Sequence, residues 1–249
     1  MTLDRPLGIK AYGRIPHLPG SARTATDRVM SAGEAARMIH RPWPGDQFWI
    51  HEKLDGTNLS VARVGDDLLA LTRAGHRAQE SCRPQARLFA AWVEHHSGRF
   101  LDLLAPGERL VGEWLLFAHG TRYQLKHEPF VVFDLMRGRV RAPWPEVWRR
   151  VGSVLPTPAV HATRPADPEQ LVQALGSGGH GALDPVEGLV YRIEREGRVD
   201  RVAKWVRPEY QAGRYFEAEE ATLPQGLRDE DAELFGEFCR GLGLPPFWH

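Results

Sequence analysis

The order of the predicted strands and helices favours an α+β fold in which antiparallel sheets are flanked by helices. β-rich runs occur in pairs that short turns join, and the helical segments are inserted between these pairs. A regular alternation of strand, helix and strand would indicate a parallel sheet, and the chain shows no such series. We therefore expect antiparallel strand pairs to form the framework of the fold.

Local signals define the elements of the first half of the chain. Gly and Pro residues make residues 8–26 an ordered loop with little regular structure. The turn Gly65-Asp66-Asp67 joins two β-rich runs and predicts a hairpin. Pro84 stands at an early position of a helical pattern whose apolar residues share one face. The predicted elements of this half are a helix at 32–39, strands at 47–53, 58–64 and 68–73, and a helix at 84–96.

The second half continues the same mixed order. A turn that contains Gly197 separates its last two strands. Residues 176–181, with the sequence GSGGHG, are the best candidate for a mobile loop. A phosphate-binding role for this loop is disfavoured, because no strand–loop–helix frame surrounds it. The predicted elements are strands at 109–117 and 129–136, helices at 143–151 and 168–175, strands at 186–193 and 199–206, and an amphipathic helix at 229–242.

Length and composition indicate an ordinary globular protein. The 249 residues are 42% apolar and 26% charged, which suits one large domain or two small ones. No apolar run approaches ~18 residues, and the first ten residues lack an apolar core, so we expect neither a membrane span nor a signal peptide. Cys82 and Cys239 stand alone, which implies neither a zinc site nor a disulfide framework. A reducing cytoplasm is the simplest location.

The charge balance restricts how the protein could bind nucleic acid. Lys and Arg number 32, equal to Asp and Glu, so any such binding needs a local basic patch. Only four of the basic residues are lysines, namely Lys10, Lys53, Lys126 and Lys204. A GC-rich genome is the ordinary cause of such a bias. A chain that uses Arg almost everywhere can still keep Lys where a neutral amine is needed, because a guanidinium does not lose its proton in a protein.

Six short segments in one order carry the strongest functional signal. Read singly, each has an ordinary structural explanation: Phe133 suits a core strand, Arg73 a solvated strand end, Glu113 a surface and Glu187 a turn. The dipeptide Gly-Lys is absent, which excludes a Walker A loop, and neither HExxH nor GxSxG occurs. The segments are Glu52-Lys53-Leu54-Asp55-Gly56-Thr57-Asn58, Thr72-Arg73-Ala74-Gly75, Val111-Gly112-Glu113-Trp114, Val131-Val132-Phe133-Asp134, Val186-Glu187-Gly188-Leu189-Val190 and Val202-Ala203-Lys204-Trp205-Val206-Arg207.

In this order the segments resemble motifs I, Ia, III, IIIa, IV and V of the covalent nucleotidyltransferases, which comprise ATP-dependent ligases and mRNA-capping enzymes. The Lys-x-x-Gly-Thr-Asn form of motif I, with Asn58 where DNA ligases and capping enzymes usually carry Arg, is similar to the bacteriophage RNA ligase 2 branch. The 20-residue intervals from Lys53 to Arg73 and from Glu113 to Phe133 also look like that branch. Residues 11–18 are similar to the N-terminal stretch of bacterial RNA-ligase-like proteins. The resemblance covers about residues 8–215.

The resemblance implies an ATP-dependent RNA ligase with a nucleotidyltransferase (adenylation) domain, which is ATP-grasp-like. In this reaction a lysine amine attacks the α-phosphate of ATP, AMP passes to an RNA 5′-phosphate, and a 3′-hydroxyl seals the end. Lys53 would be the nucleophile, and its ordinary pKa of about 10.4 would have to be lowered by cations such as Arg73, Lys204 and a metal.

The resemblance also implies roles for the residues of the motifs. Phe133 would stack on adenine, and the backbone at Glu52 could read the adenine edge. Glu113 would contact the ribose or a metal-bound water. The implied catalytic residues are Lys53, Asp55, Asn58, Arg73 and Lys204. The implied nucleotide-binding residues are Glu52, Lys53, Asn58, Arg73, Glu113, Phe133, Glu187 and Lys204, and the ligands of Mg²⁺ or Mn²⁺ are Glu113 and Glu187.

Two departures from the family pattern leave alternatives open. Val206 occupies the place of a second motif V lysine. Either a bulge in the strand would have to bring the next residue, Arg207, to this position, or another arginine (Arg192, Arg201 or Arg214) would have to supply the charge. Residues 208–249 are too few for the C-terminal OB barrel of DNA ligases. We expect an adenylation domain at 1–215 and a short helical tail at 216–249.

The short tail leaves the efficiency of sealing open. The protein could adenylate itself and RNA ends but seal poorly without a partner protein that presents the RNA. An inactive nucleotide- or RNA-binding module of the same fold, or a DNA ligase, is the remaining alternative. Retention of Lys53, Asp55, Glu113, Glu187 and Lys204 argues against an inactive module.

Overall fold

The computed structural model describes residues 4–215 and 229–241. In this part of the chain two antiparallel sheets are flanked by α-helices, which confirms the predicted α+β class. The strands are β1 (Gln47–Glu52), β2 (Thr57–Val64), β3 (Asp67–Thr72), β4 (Glu108–Trp114), β5 (Phe130–Arg137), β6 (Val140–Arg141), β7 (Val160–Ala162), β8 (Gly188–Arg195) and β9 (Arg198–Val206). The helices are α1 (Ala32–Ile39), α2 (Pro84–His95), α3 (Ser97–Leu103), α4 (Trp144–Val151), α5 (Pro168–Leu175) and α6 (Asp229–Gly241).

The two sheets are joined at the segment that contains the candidate nucleophile. The four-stranded sheet has the order β7-β1-β8-β9, and the five-stranded sheet has the order β3-β2-β4-β5-β6. Strand β1 belongs to the first sheet and β2 to the second, so residues 53–56 cross between them. This crossing allows side chains from both sheets to meet around Lys53.

Each sheet buries its own apolar cluster. The five-stranded sheet packs against α2, and its core contains Phe89, Trp92, Trp114 and Phe130. Phe235 of α6 joins this cluster, with its ring centroid 6.0 Å from that of Trp114. The four-stranded sheet buries a second cluster, which includes residues of α1 and, partly buried, of α5.

Helix boundaries follow the local signals of the sequence. Ser31 and Glu34 form a capping box at the start of α1, in which each side chain bonds the backbone N–H of the other. Pro84 opens α2, where its missing N–H costs no helical hydrogen bond. Asp167 accepts a hydrogen bond from the N–H of Gln170 and so caps α5.

The structure differs from the sequence prediction at several short elements. The predicted strand 109–117 ends at Trp114, the last residue that pairs with β5. The strands β6 and β7 are two and three residues long, too short for a periodic signal, and α3 has no side-chain cap. The backbone N–H of Gly179, in the GSGGHG loop, donates to the Glu52 carboxylate at 2.5 Å. None of the described helices is long and apolar enough to cross a membrane.

Candidate active site

A pocket between the two sheets brings together most of the predicted site residues. Its wall contains seven of them, namely Glu52, Lys53, Asn58, Arg73, Glu113, Phe133 and Lys204. Asp55 and Glu187 are not part of this wall, but Glu187 reaches it through a contact with Lys53. Residues that are far apart in the sequence therefore surround one cavity.

Lys53 is held at the end of β1 by backbone and side-chain bonds. Its N–H donates to the carbonyl of Gly188 at 2.8 Å, which extends the β1–β8 pairing by one residue. Its Nζ donates to Oε2 of Glu187 at 2.6 Å, and the side chain is 21% exposed. Burial opposes the charged form, but the carboxylates of Glu187, Glu113 and Asp55 outweigh it and raise the pKa of Lys53. The contact with Glu187 therefore favours the protonated form of the amine.

Glu113 is a half-buried carboxylate on β4, and Glu187 is a buried carboxylate just before β8. Burial raises the pKa of each to about 7, although the charge of Lys53 acts to lower both. The described residues hold no group of three or more His, Cys, Asp or Glu side chains suited to a metal ion. Mg²⁺ commonly uses only one or two protein carboxylates, with phosphate oxygens and water completing its shell. This pair, which lacks full charge compensation, therefore fits such an ion together with a nucleotide.

Asn58 lies beside Glu113 because of the strand register. The two residues are direct partners in the β2–β4 pairing, and a side-chain hydrogen bond from Asn58 lowers the pKa of Glu113. Oδ1 of Asn58 is buried and has no hydrogen-bond partner within the described structure. A buried amide oxygen with a free lone pair is suited to accept a bond from a ligand or water.

Asp55 is not part of the pocket wall and is held by hydrogen bonds to neighbouring loops. Its Oδ2 accepts the N–H of Gly120 at 2.6 Å, and its own N–H donates to the Tyr123 hydroxyl at 3.0 Å. Tyr210 also hydrogen-bonds the Asp55 carboxylate, and burial together with the nearby carboxylates raises the pKa of this tyrosine. Asp55 thus ties the turn after Lys53 to two other loops. The sequence analysis did not identify either tyrosine.

Phe133 faces the pocket because of a bulge in β5. Val111 pairs with Asp134 and Gly112 pairs with Val132, so Phe133 is the additional residue between two paired positions. The bulge changes the alternation of β5, and both Phe133 and Asp134 line the cavity. The ring of Phe133 packs edge-on against Tyr12, with centroids 5.4 Å apart.

A charge network that the sequence analysis missed closes the same end of the pocket. Asp134 accepts bonds from the Tyr12 hydroxyl at 2.9 Å, from Arg192 at 2.7 Å and from Arg141 at 3.0 Å. Arg192 also bonds Glu194 at 2.7 Å. The network is buried, and opposite charges compensate one another within it. In the sequence, the position of Arg192 within the apolar run of β8 was the available signal for this network.

Besides Lys53, the cations Lys204 and Arg73 reach the pocket wall from two separate segments. Lys204 lies on β9 opposite Val190, and burial together with the charge of Lys53 lowers its pKa. Arg73 lies at the pocket wall, and one of its nitrogens donates to the Gly13 carbonyl at 3.2 Å. The backbone of His17 pairs with that of Lys204 in an isolated parallel β-bridge. Burial and, to a smaller extent, the positive charge of Lys204 lower the pKa of His17 to about 4. His17 therefore adds no positive charge at neutral pH.

Arg192 and Arg201, two of the three arginines that could replace the missing motif V lysine, are already paired with carboxylates. Val206 is buried and pairs with Gly188, and the β8–β9 irregularity lies at Ile193 and Glu194, far from it. Arg192 lines the pocket but is neutralised by Asp134 and Glu194. Arg201 pairs with Glu34, and Arg214 lies over the Tyr215 ring.

The Glu52 side chain is turned away from the nucleophile. Besides its bond from Gly179, Oε1 lies 3.5 Å from His180 Nε2 and 3.8 Å from His161 Nε2. Burial acts to raise the pKa of Glu52, but the bonds from His161 and Gly179 outweigh it and lower the pKa. His180 has a left-handed backbone, with φ of 57°, and bonds His127 at 2.7 Å. Glu52 thus anchors the 176–181 loop.

Comparison with known proteins gives this site a context. A family profile described as RNA ligase matches residues 46–206, more than half of the chain. A structure of the Naegleria gruberi RNA ligase with PPi is 16% identical, with a TM-score of 0.51, and the match covers 77% of this chain and 59% of that chain. A mutant of that ligase with ATP and Mn is 15% identical, with a TM-score of 0.50. This match covers 80% of this chain and 61% of that chain.

A third structure, an archaeal ATP-dependent RNA ligase, is 21% identical with a TM-score of 0.45, and covers 65% of this chain and 43% of that chain. The chain thus spans about half the length of the solved ligases that it matches. No curated protein sequence matches it. The structural likeness shows a shared adenylation-domain fold. The family profile covers all six motifs except Arg207, the last residue of motif V. By this match the chain belongs to the RNA ligase family.

Proposed function

We propose that this protein is an ATP-dependent RNA ligase that works through a covalent AMP adduct on Lys53. The observation that supports it most directly is the position of Lys53 Nζ, which lies 2.6 Å from Glu187 at the wall of a pocket that also contains Glu113 and Phe133. A nucleophile, a proton acceptor and an aromatic surface for a base therefore occur together. The Naegleria ligase in the comparison was solved with ATP and Mn.

In the first step the neutral Lys53 amine attacks the α-phosphorus of ATP. A phosphorus–nitrogen bond forms, the bond from the α-phosphorus to the bridging oxygen breaks, and pyrophosphate leaves with the electron pair. The amine must first lose a proton, and Oε2 of Glu187 is the nearest acceptor. The pKa of Glu187, raised to about 7 by burial, suits proton transfer near neutral pH.

In the second and third steps AMP moves to RNA and leaves again. An RNA 5′-phosphate oxygen attacks the phosphorus of the adduct and the bond to Nζ breaks, so Lys53 recovers its proton. A 3′-hydroxyl then attacks the activated 5′-phosphate, a phosphodiester forms and AMP leaves. Lys204 and Arg73, which line the pocket, would balance phosphate charge. Bound Mg²⁺ or Mn²⁺, held by Glu113 and Glu187, would neutralise charge on the phosphates.

A nucleotide- or RNA-binding module without chemistry is the second candidate. One observation favours it: the carboxylates around Lys53 raise its pKa and so favour its protonated form. Such a module would bind nucleotide without forming a covalent product. The proposed ligase and the binding module therefore differ in one measurable species.

The decisive experiment is incubation with α-labelled ATP and either Mg²⁺ or Mn²⁺, followed by a denaturing gel. Bound AMP is first removed with pyrophosphate. We expect an acid-labile label on the 28.1 kDa chain, absent from Lys53→Ala and from Lys53→Arg, because a guanidinium provides no free amine. Lys126→Arg, at an exposed lysine, is the matched control and keeps the label. Addition of 5′-phosphorylated RNA should then transfer the label to RNA.

No label with either metal would favour the binding module. A labelled Lys53→Arg protein would contradict the assignment of the nucleophile. Label on the protein without transfer to RNA would support an adenylating enzyme and contradict ligation by this chain alone.

A further inference from the structure

A second cleft, separate from the candidate active site, is lined by arginines. It has a volume of about 800 Å³ and lies where the β5–β6 hairpin, the start of α4 and the β8–β9 turn meet. Its four basic side chains are Arg137, Arg139, Arg141 and Arg198. None of the six sequence motifs contributes a charged side chain to it, so the motif-based function does not account for this cleft.

The acidic residues of the cleft are already compensated. Glu108 bonds Arg150 at 2.7 Å and lies 3.5 Å from Arg137. Glu146 lies 3.6 Å from the same Arg150. The cleft therefore has a surplus of positive charge.

Two arginines provide this surplus. Arg139 and Arg198 are exposed, and neither forms an ion pair with any residue that the structure describes. Arg139 follows Gly138, whose φ of 55° makes the tight turn that presents it at the tip of the β5–β6 hairpin. Both guanidinium groups are thus available for an external anion.

The cleft and the active-site pocket share a wall. Asp134 lines the pocket, Arg141 lines the cleft, and the two residues bond at 3.0 Å. Strand β1 shows how far the cleft lies from the nucleophile. Its first residue, Gln47, pairs with Glu194 next to the β8–β9 turn, and Lys53 follows its last residue. At ~3.3 Å per residue, the distance along β1 from Gln47 to Lys53 is roughly 20 Å. About six stacked nucleotides span the same distance at ~3.4 Å each.

We propose that this arginine cleft binds the phosphate backbone of the RNA substrate, about six nucleotides from the end that reacts at Lys53. Guanidinium groups form paired hydrogen bonds to phosphate oxygens, and an RNA strand presents such groups at regular intervals. Because the protein carries no net charge, its affinity for RNA has to come from a local patch of this kind. The inference rests on the proposed RNA ligase function and adds a contact that positions RNA.

The test compares an Arg139→Ala/Arg198→Ala protein with wild type and with Arg41→Ala/Arg164→Ala. The control removes two exposed arginines that line neither cavity, so the change in net charge is the same. The probes are 5′-phosphorylated RNAs of about 12 and about 3 nucleotides, of which only the longer one reaches the cleft from Lys53. Fluorescence anisotropy over a salt series gives each Kd, and α-labelled ATP reports adduct formation.

We expect the cleft variant to bind the longer RNA about tenfold more weakly and to lower the salt slope by about 1.4, which is the contribution of two phosphate contacts. Binding of the short RNA, adduct formation and the thermal melting curve should match wild type. The control should match wild type in every assay.

Unchanged binding of the longer RNA by the cleft variant would overturn the proposal. Equal weakening in the control would also overturn it, because the effect would then belong to the general field of the protein. Loss of adduct formation in the cleft variant would assign these arginines to the first step and contradict a role in RNA positioning. If wild type forms no adduct but its RNA binding still depends on Arg139 and Arg198, the result contradicts the proposed ligase function and supports RNA binding by the cleft.

Discussion

The ammonium group of Lys53 lies 2.6 Å from the carboxylate of Glu187, although 134 positions separate the two residues in the sequence. The pair joins the end of β1 to the residue before β8, within one sheet. This contact keeps the amine protonated, because the surrounding carboxylates outweigh the effect of burial on its pKa. The amine would therefore have to pass a proton to an acceptor before it acts as the proposed nucleophile.

A pH-dependent stability change should follow substitution of Glu113. Burial raises the pKa of this carboxyl group to about 7, above the unfolded value of about 4.3. Between these values the folded state binds more protons than the unfolded state, so this group makes stability fall as pH rises. We expect the Tm of Glu113→Gln relative to wild type to increase from about pH 5 to about pH 8. Circular dichroism melting measures it.

Glu94→Gln is the control for this experiment, because that carboxylate is exposed on α2. Its Tm difference from wild type should stay the same across the pH range. A constant difference for Glu113→Gln would show that the Glu113 carboxyl does not titrate as its burial implies.

Phe133 and its neighbour Phe130 separate binding from folding. Phe133 lies half-buried at the pocket wall, whereas Phe130 is fully buried in the core. Since stacking of a base on an aromatic ring is worth roughly 1–3 kcal/mol, Phe133→Leu should raise the KM for ATP about tenfold and leave Tm nearly unchanged. Phe130→Leu should lower Tm and leave the KM unchanged. A large fall in Tm for Phe133→Leu, with normal ATP use, would instead identify Phe133 as a core residue.

Breaking the Asp134 network should cost substantial stability. Asp134 compensates Arg192, which is buried, and also bonds Arg141 and Tyr12. Removing one partner of a buried ion pair leaves the other charge uncompensated, so Asp134→Asn should lower the free energy of unfolding by about 3 kcal/mol. Urea denaturation measures this change. Asp66→Asn removes a fully exposed carboxylate 3.7 Å from Arg63 and should change stability by less than about 0.5 kcal/mol.

Gly188 tests the close approach of β8 and β9. Gly188 directly follows Glu187 in the sequence. A Cβ atom at Gly188 would lie 1.9 Å from the carbonyl oxygen of Trp205. Gly188→Ala should destabilise the fold by about 3 kcal/mol and disturb the Lys53–Glu187 contact. Gly98 in α3 has open space around its Cβ position, so Gly98→Ala should stabilise the protein by about 0.5–1 kcal/mol. Equal stability of both variants in urea denaturation would contradict the steric argument.

Much of the fold could be predicted because its elements carry local signals. The capping residues Ser31 and Asp167 mark the starts of α1 and α5, and the Gly197 turn marks the β8–β9 hairpin. Strands β6 and β7 carry no comparable signal, because they exist only through pairing with β5 and β1. The end of β4 at Trp114 likewise depends on where its partner strand begins.

The candidate site was predictable to a similar extent. The types and order of its residues indicate the RNA ligase family, since a lysine, two glutamates and an aromatic residue occur at motif spacing. The Arg192–Asp134 network and the contact between Glu52 and the 176–181 loop could not be predicted, because their partners come from separate segments. Neither pairing has a sequence pattern, as each depends on how the two sheets are placed.

The amino-acid sequence alone specifies which residue types are available, where regular structure begins and which family the motifs resemble. The folded chain decides what those residues do. A single bulge in β5 turns Phe133 toward the pocket, although alternation along the strand suggests an ordinary core position. The fold also brings the carboxylates of Glu187, Glu113 and Asp55 around Lys53, and their charges raise its pKa although burial acts to lower it. Both outcomes depend on distances between segments, because electrostatic and packing energies are set by proximity in space and not along the chain.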